Sequence, residues 1–214
     1  MFSDNQWEIL VGSLMGDGSV TTWSDSYPKF TVNMTNPKYI YYLWKEFGVL
    51  SGDTVGHYTQ KELESADMEG FSDDPHCKPV YSWRTKAHPL MMLFTAWYCS
   101  GEKVFPKDVS LTPTVLRHWY CGDGGLGSRF NSCRLHSANE SEDFSNILSM
   151  FRSIGFSPNT TGHHIRFSTE KSRDFLDYIS PLPPGFKHKA ILDDRDAYER
   201  QRERDYQPPE ELTR

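Results

Sequence analysis

Trp7, Leu10, Val11 and Leu14 recur at the three- and four-residue spacing of one helix face. Ahead of them, Ser3-Asp4-Asn5-Gln6 offers the serine and glutamine of a capping box. The pattern predicts a helix over 7–16, stopped by the glycines of "LVGSLMGDGSV" at 10–20. Next comes the alternating strand pattern "KFTVNM", then a turn at Asn36-Pro37 and an amphipathic helix, "PKYIYYLWKEF", ending before Gly48. A weaker strand signal lies near Thr54–Tyr58, a stronger one in "VYSWRTK" at 80–86, and the apolar run "PLMMLFTAWY" predicts another helix. After Thr112, an N-cap followed by Pro113 at the first helical position, the same order returns. A helix over 113–122 is followed by the strand "CRLH", a helix ending before Gly155, a weak strand near Pro158–Thr161, the strand "HHIRFST" at 163–169 and the helix "SRDFLDYISP".

The chain is therefore read as α+β, with a duplicated helix–strand–strand–helix–strand–strand–helix unit and an internal pseudo-twofold axis. The expected repeats are 1–108 and 109–192, followed by a charged tail, 193–214. "GDGSV" at 16–20 matches "GDGGL" at 122–126, so Asp17 and Asp123 occupy equivalent places 106 residues apart. Glycine inside a helix costs roughly 0.5–1 kcal/mol relative to alanine, so Gly12 and Gly16 need a packing reason. Close approach of helix 7–16 to helix 113–122, with Gly122 as the small counterpart, supplies one. It would bring the two carboxylates side by side, an unfavourable arrangement unless they hold a cation. Each half also ends in lysine near proline: "GEKVFPKD" at 101–108 and "PPGFKHKAI" at 183–191.

A net charge of −6 is the wrong sign for a polyanion binder, but the charge is uneven. The window Gln60–His76 carries −5 and the segment Asp193–Arg214 carries −3, which leaves the remaining body at +2. A basic face is thus compatible with the composition. The tail is expected to form an exposed helix and then disorder after Pro208-Pro209. The four cysteines, Cys77, Cys99, Cys121 and Cys133, lack CxxC spacing and read as reduced thiols. Zinc at His76/Cys77 or at Cys133/His136 is the weaker alternative. A phosphate-cradling role for "GDGGLG" lacks the lysine of a P-loop. No run of about 18 apolar residues suggests a membrane span, and the N-terminus has no signal-peptide pattern, so a cytoplasmic protein is expected.

"LVGSLMGDG" and "LTPTVLRHWYCGDGGL" resemble the two motifs of single-chain LAGLIDADG homing endonucleases, and the likeness in order covers about residues 5–192. The resemblance implies two antiparallel sheets forming a saddle on double-stranded DNA, with the motif helices at the domain interface. It implies a monomer that cuts a long, asymmetric site across the minor groove and leaves short 3′ overhangs, using Mg²⁺ or Mn²⁺. Asp17 and Asp123 match the metal-binding acids, with Gly16 and Gly122 beside them contributing carbonyls. Lys103 matches the basic residue of the first half; in the second, Lys187 and Lys189 align about equally, with Lys189 slightly preferred. The strands would supply DNA contacts: Ser19, Thr21, Thr22, Trp23, Ser24, Lys29, Thr31, Asn33, Arg84 and Lys86 in the first repeat, and Ser128, Arg129, Asn131, Arg134, His136, His164, Arg166 and Ser168 in the second. Alternate strand residues face away from the groove, so the list is expected to thin. A DNA-cutting role implies a nucleoid-associated protein; the chain starts with Met and has no intein-like nucleophile there, so a free-standing protein is expected. An RNA maturase acting on intron RNA, or a non-cleaving DNA-binding regulator on the same scaffold, is the alternative.

Overall fold

The computed structural model describes residues 2–22, 26–52, 56–58, 79–99, 102–104, 108–136 and 144–212. Trp23, Ser24, the acidic window 60–76 and Cys77 lie outside the described residues.

Helix α1 (Asp4–Met15) opens on the capping box: Ser3 Oγ accepts from Gln6 N at 3.2 Å, and Gln6 Oε1 accepts from Ser3 N at 3.0 Å. Strands β1 (Gly18–Thr21) and β2 (Lys29–Met34) form a hairpin. Asn36 caps α2 (Pro37–Phe47), and Pro37 begins it. Strands β3 (Gly56–Tyr58) and β4 (Val80–Arg84) complete a four-stranded antiparallel sheet in the order β1-β2-β4-β3. The second repeat has the same layout. Thr112 caps α4 (Pro113–Asp123), which leads into β7 (Gly124–Leu126), β8 (Cys133–His136), α5 (Ser145–Ser153), β9 (Asn159–Thr161), β10 (His164–Arg166) and α6 (Thr169–Ile179). Its sheet order is β7-β8-β10-β9, the same sequence of pairings. The duplicated α+β layout read from the residues is the observed one.

Period-two alternation decides what each sheet buries. Phe30, Val32 and Trp83 fill the inner face of the first sheet; Cys133, Leu135 and Ile165 fill that of the second. A single apolar core runs through both repeats, with α1 and α4 at its centre.

Two expectations change. The apolar run at 89–98 is not one helix. A 3-10 turn at Pro89–Met91 leads into a short helix, α3 (Met92–Thr95), and the chain then enters the hairpin β5 (Tyr98–Cys99) and β6 (Glu102–Lys103). Met91, Phe94 and Trp97 are apolar because they are buried, not because the helix is long. The charged tail is also not a free helix. Helix α7 (Arg195–Asp205) is docked on the body by Asp205, which is 3% exposed and bonded to His188. Beyond Pro208-Pro209, where disorder was expected, the chain makes another 3-10 turn at Glu210–Leu212.

Candidate active site

The site forms where α1 and α4 end together. A Cβ on Gly12 would lie 2.2 Å from the Val115 carbonyl oxygen and 2.9 Å from His118 Cβ, so glycine sets how closely the helices approach. A Cβ on Gly122 would lie 2.9 Å from Asp17 N and 3.4 Å from Asp17 Oδ2. Asp17 follows the Gly16 cap of α1 and Asp123 is the last residue of α4, so two backbones in contact deliver the two acids to the same place.

Neither carboxylate behaves as it would in water. Asp17 is solvent-accessible, yet it sits at a densely surrounded floor; burial raises its pKa, against the charges of Lys189 and Lys103. Asp123 is half-buried and pushed up to about 7, by burial first and then by the negative charge of Asp17, with Lys103 and Lys189 opposing. Two adjoining carboxylates, one raising the pKa of the other, offer the oxygen donors that a hard cation takes. Among the described residues, no group of three or more metal-ligating side chains exists, so further ligands would come from carbonyls, water or a bound phosphate.

The lysines meet the site from either side. Lys103 Nζ donates to Gly16 O at 2.7 Å and Gly18 O at 2.8 Å. Lys189 Nζ donates to Cys121 O and Gly124 O, each at 2.7 Å, and to Tyr120 O at 3.3 Å. Both ammonium groups therefore sit on carbonyls at the negative end of a motif helix. Burial lowers both lysine pKa values, and the acids partly restore them. Lys187 is on the exposed side of the same turn as Lys189 and does not enter the site. The Gly16 carbonyl, expected beside the cation, accepts one hydrogen bond from Lys103. The zinc alternative at Cys133/His136 does not assemble: Cys133 is buried against Tyr120 Oη at 3.6 Å, while His136 sits on the sheet's outer face.

A buried polar chain under the acids had no sequence signal. Ser13 Oγ lies 3.3 Å from Tyr39 Oη, which lies 2.6 Å from His118 Nδ1. Burial, and then the Arg117 charge, push His118 down to about 3, so the imidazole is neutral. Nδ1 shares one proton with Tyr39 Oη, and Nε2 has no hydrogen-bond partner among the described residues. These residues lie 26 and 79 positions apart in the chain, out of reach of local pattern.

The outer faces of both sheets carry most of the residues expected to touch DNA. Ser19, Thr31 and Arg84 form one cross-strand row, and Thr21 with Lys29 forms another; Asn33 is exposed on the same face, and Lys86 is exposed beyond the end of β4. In the second sheet Arg134 is directly opposite Arg166, and His136 opposite His164. Two arginines facing each other across strands are unfavourable without a polyanion, and neither is in an ion pair among the described residues. Ser128 and Arg129 are exposed in the β7–β8 turn, Asn131 is half-buried there, and Ser168 is spent capping α6.

The family model described as the LAGLIDADG DNA endonuclease family matches residues 7–175. A protein named RecA, from Mycobacterium shimoidei, is 28% identical over 134 residues, which are 60% of this chain and 28% of that protein. This chain thus spans little more than a quarter of the curated relative it matches. Among solved structures, the homing endonuclease I-WcaI bound to its DNA recognition sequence superposes with a TM-score of 0.71 at 17% identity, covering 90% of this chain and 88% of that one. I-DmoI in complex with DNA and Ca gives 0.51 at 13% identity, covering 84% and 94%. At these identities the structural likeness speaks for the fold.

Proposed function

The chain belongs to the LAGLIDADG DNA endonuclease family, and on that premise we propose that it hydrolyses both strands of a specific double-stranded DNA site with a divalent cation, Mg²⁺ or Mn²⁺, at Asp17 and Asp123. The observation that carries the reading is the pair of electrostatically coupled carboxylates, one from each repeat, flanked by one lysine per repeat. Two acids on a pseudo-twofold axis match two antiparallel strands that must both be cut.

The carboxylate oxygens fit a hard cation, and the repulsion between the acids is what such an ion relieves. A divalent ion held there would neutralise phosphate charge and lower the pKa of a bound water. This chain's own residues do the rest. Asp123 must be ionised to take part, which happens above about pH 7 or when a cation displaces its proton. Lys103 and Lys189 place positive charge beside the phosphate oxygens where negative charge grows, in a site that is partly dehydrated. Gly12 and Gly122 keep the two acids in contact range. Arg84, Arg134 and Arg166 on the outer sheet faces hold the duplex, and strand side chains such as Asn33 read base edges. Product ends would be short 3′ overhangs from cuts across the minor groove.

The test is cleavage of a randomised duplex library by the purified chain in Mg²⁺, in EDTA, and by the Asp17→Asn and Asp123→Asn variants. Discrete Mg²⁺-dependent products with 3′ overhangs, lost in both variants, support the reading. Selective duplex binding without cutting in any metal would replace it with the regulator; binding to intron RNA instead would replace it with the maturase.

A further inference from the structure

The two halves hold the same lysine by different means. Lys103 stands on β6, opposite Tyr98 on β5. Tyr98 Oη accepts from Val20 N at 3.0 Å, so the β5–β6 hairpin is pinned to β1, in the four-stranded sheet of the same repeat. In the second half, Lys189 stands in a 3-10 turn, Lys187–Ala190, and no equivalent hairpin occurs among the described residues. That turn has two anchors. Tyr120 Oη donates to Lys189 O at 3.0 Å. Asp205 Oδ2 accepts from His188 N at 2.9 Å and from His188 Nδ1 at 2.8 Å, while Asp205 Oδ1 accepts from Gln201 Nε2 at 3.0 Å.

The pair is closed off from water: the His188 and Asp205 side chains are 2% and 4% exposed. Burial lowers the pKa of His188, against the pull of Asp205. Burial lifts that of Asp205, but the His188 side chain and backbone together with Gln201 outweigh it, so the carboxylate stays ionised. A neutral imidazole therefore donates to a carboxylate with both oxygens satisfied, a rigid arrangement with no proton to gain or lose near neutrality. Helix α7, which ends on Asp205, lies beyond residue 175, where the family match stops.

We propose that α7 is the second half's replacement for the hairpin, and that Asp205, acting through His188, is a positioning residue that keeps Lys189 in the active site. Asp205 itself touches none of the reacting groups. It fixes the backbone one residue before Lys189, and the ammonium reaches the three carbonyls of α4 and β7 only from that turn. The inference rests on the endonuclease reading for its effect on cutting, but not for the geometry itself.

The experiment uses the full chain as wild type, Asp205→Ala and Asp205→Asn, each exposed briefly to an amine-acylating reagent and read lysine by lysine by mass spectrometry. In wild type, Lys103 and Lys189 should react about tenfold more slowly than exposed Lys187, the protection expected of an ammonium bonded by several carbonyls. In Asp205→Ala, Lys189 should approach the rate of Lys187 while Lys103 keeps its protection; Asp205→Asn, which retains an acceptor oxygen, should recover part of it. No change at Lys189 overturns the proposal. A rise at both lysines also overturns it, because α7 would then support the whole fold rather than one side chain. On supercoiled plasmid carrying the target, Asp205→Ala should accumulate nicked circles with unchanged DNA affinity in Ca²⁺; equal slowing of both strands speaks against the clamp. If wild type does not cut at all, the endonuclease reading fails and the labelling result still decides the role of Asp205.

Discussion

Replacing Asp123 by asparagine should make the metal-free protein more stable, and only above a defined pH. The side chain keeps its shape and loses its charge. In the folded chain the Asp123 pKa is about 7, against an ordinary value of 3.8. Below about pH 4 both folded and unfolded chains hold the proton, and the acid has no effect on stability. Between about pH 4 and 7 the unfolded chain releases the proton while the folded chain retains it, so stability falls as pH rises. Above about 7 the full cost is present, at most about 4 kcal/mol from the difference in pKa. The half-buried carboxylate keeps part of its hydration, so about 2–4 kcal/mol is the expected measured gain. For a chain of this length that corresponds to roughly 5–15 °C in Tm. The assay is thermal and urea denaturation of wild type and Asp123→Asn in EDTA from pH 4 to 8, compared as a difference so that titrating groups away from the site cancel. Saturating Mg²⁺ at pH 8 should then raise the wild-type Tm and leave the variant almost unmoved. An equal difference at pH 4 and pH 8, or none at either, would falsify the claim that the paired acids are held under electrostatic strain.

Other perturbations should separate packing, chemistry and binding. Gly12→Ala drives a methyl into the Val115 carbonyl and should cost about 3 kcal/mol in urea melts; Gly125→Ala, with nothing within 4 Å, should change stability by no more than about 0.5 kcal/mol. Lys103→Met should slow cutting of one strand by about 10²–10³-fold and leave nicked product, while DNA affinity in Ca²⁺ changes little. Arg134→Ala and Arg166→Ala should each weaken binding to specific and nonspecific duplex alike, and each should reduce the slope of log K against log salt by about 0.9 in a fluorescence titration. An unchanged slope would remove that row from the DNA interface.

Legibility in the sequence followed the range of the interactions. Helix α1 and helix α4 are announced by local signals, Ser3 with Gln6 and Thr112 with Pro113, and their caps act over three residues. The sheets follow from alternation, and the two acids from the repetition of "GDG". The hairpin carrying Lys103 was hidden because Met91, Phe94 and Trp97 are spaced like a helix face, although burial alone accounts for them. The choice between Lys187 and Lys189 could not be made from spacing. Within a 3-10 turn a shift of two residues reverses the side, and only the three-dimensional path puts Lys189 inward. The docking of α7 was invisible because Asp205 sits in a run of alternating charges, and its partner His188 lies 17 positions away. The Tyr39–His118 contact joins the two repeats and so has no trace in either one read alone.

The contact between Gly12 and His118 has a consequence for the history of the chain. These two positions are equivalents under the duplication, 106 residues apart like the paired acids, and they face each other across the helix crossing. A side chain at position 12 would run into the Val115 carbonyl and the His118 Cβ of the other copy. Two copies of the second repeat, each with histidine at this place, could not cross so closely. The repeats have become unequal partners, and the second does not pair with itself at this spacing. A gene in that condition has no easy return to a symmetric pair of identical subunits. On the endonuclease reading, the same step frees it from palindromic targets, because each sheet can drift toward its own half of a recognised sequence.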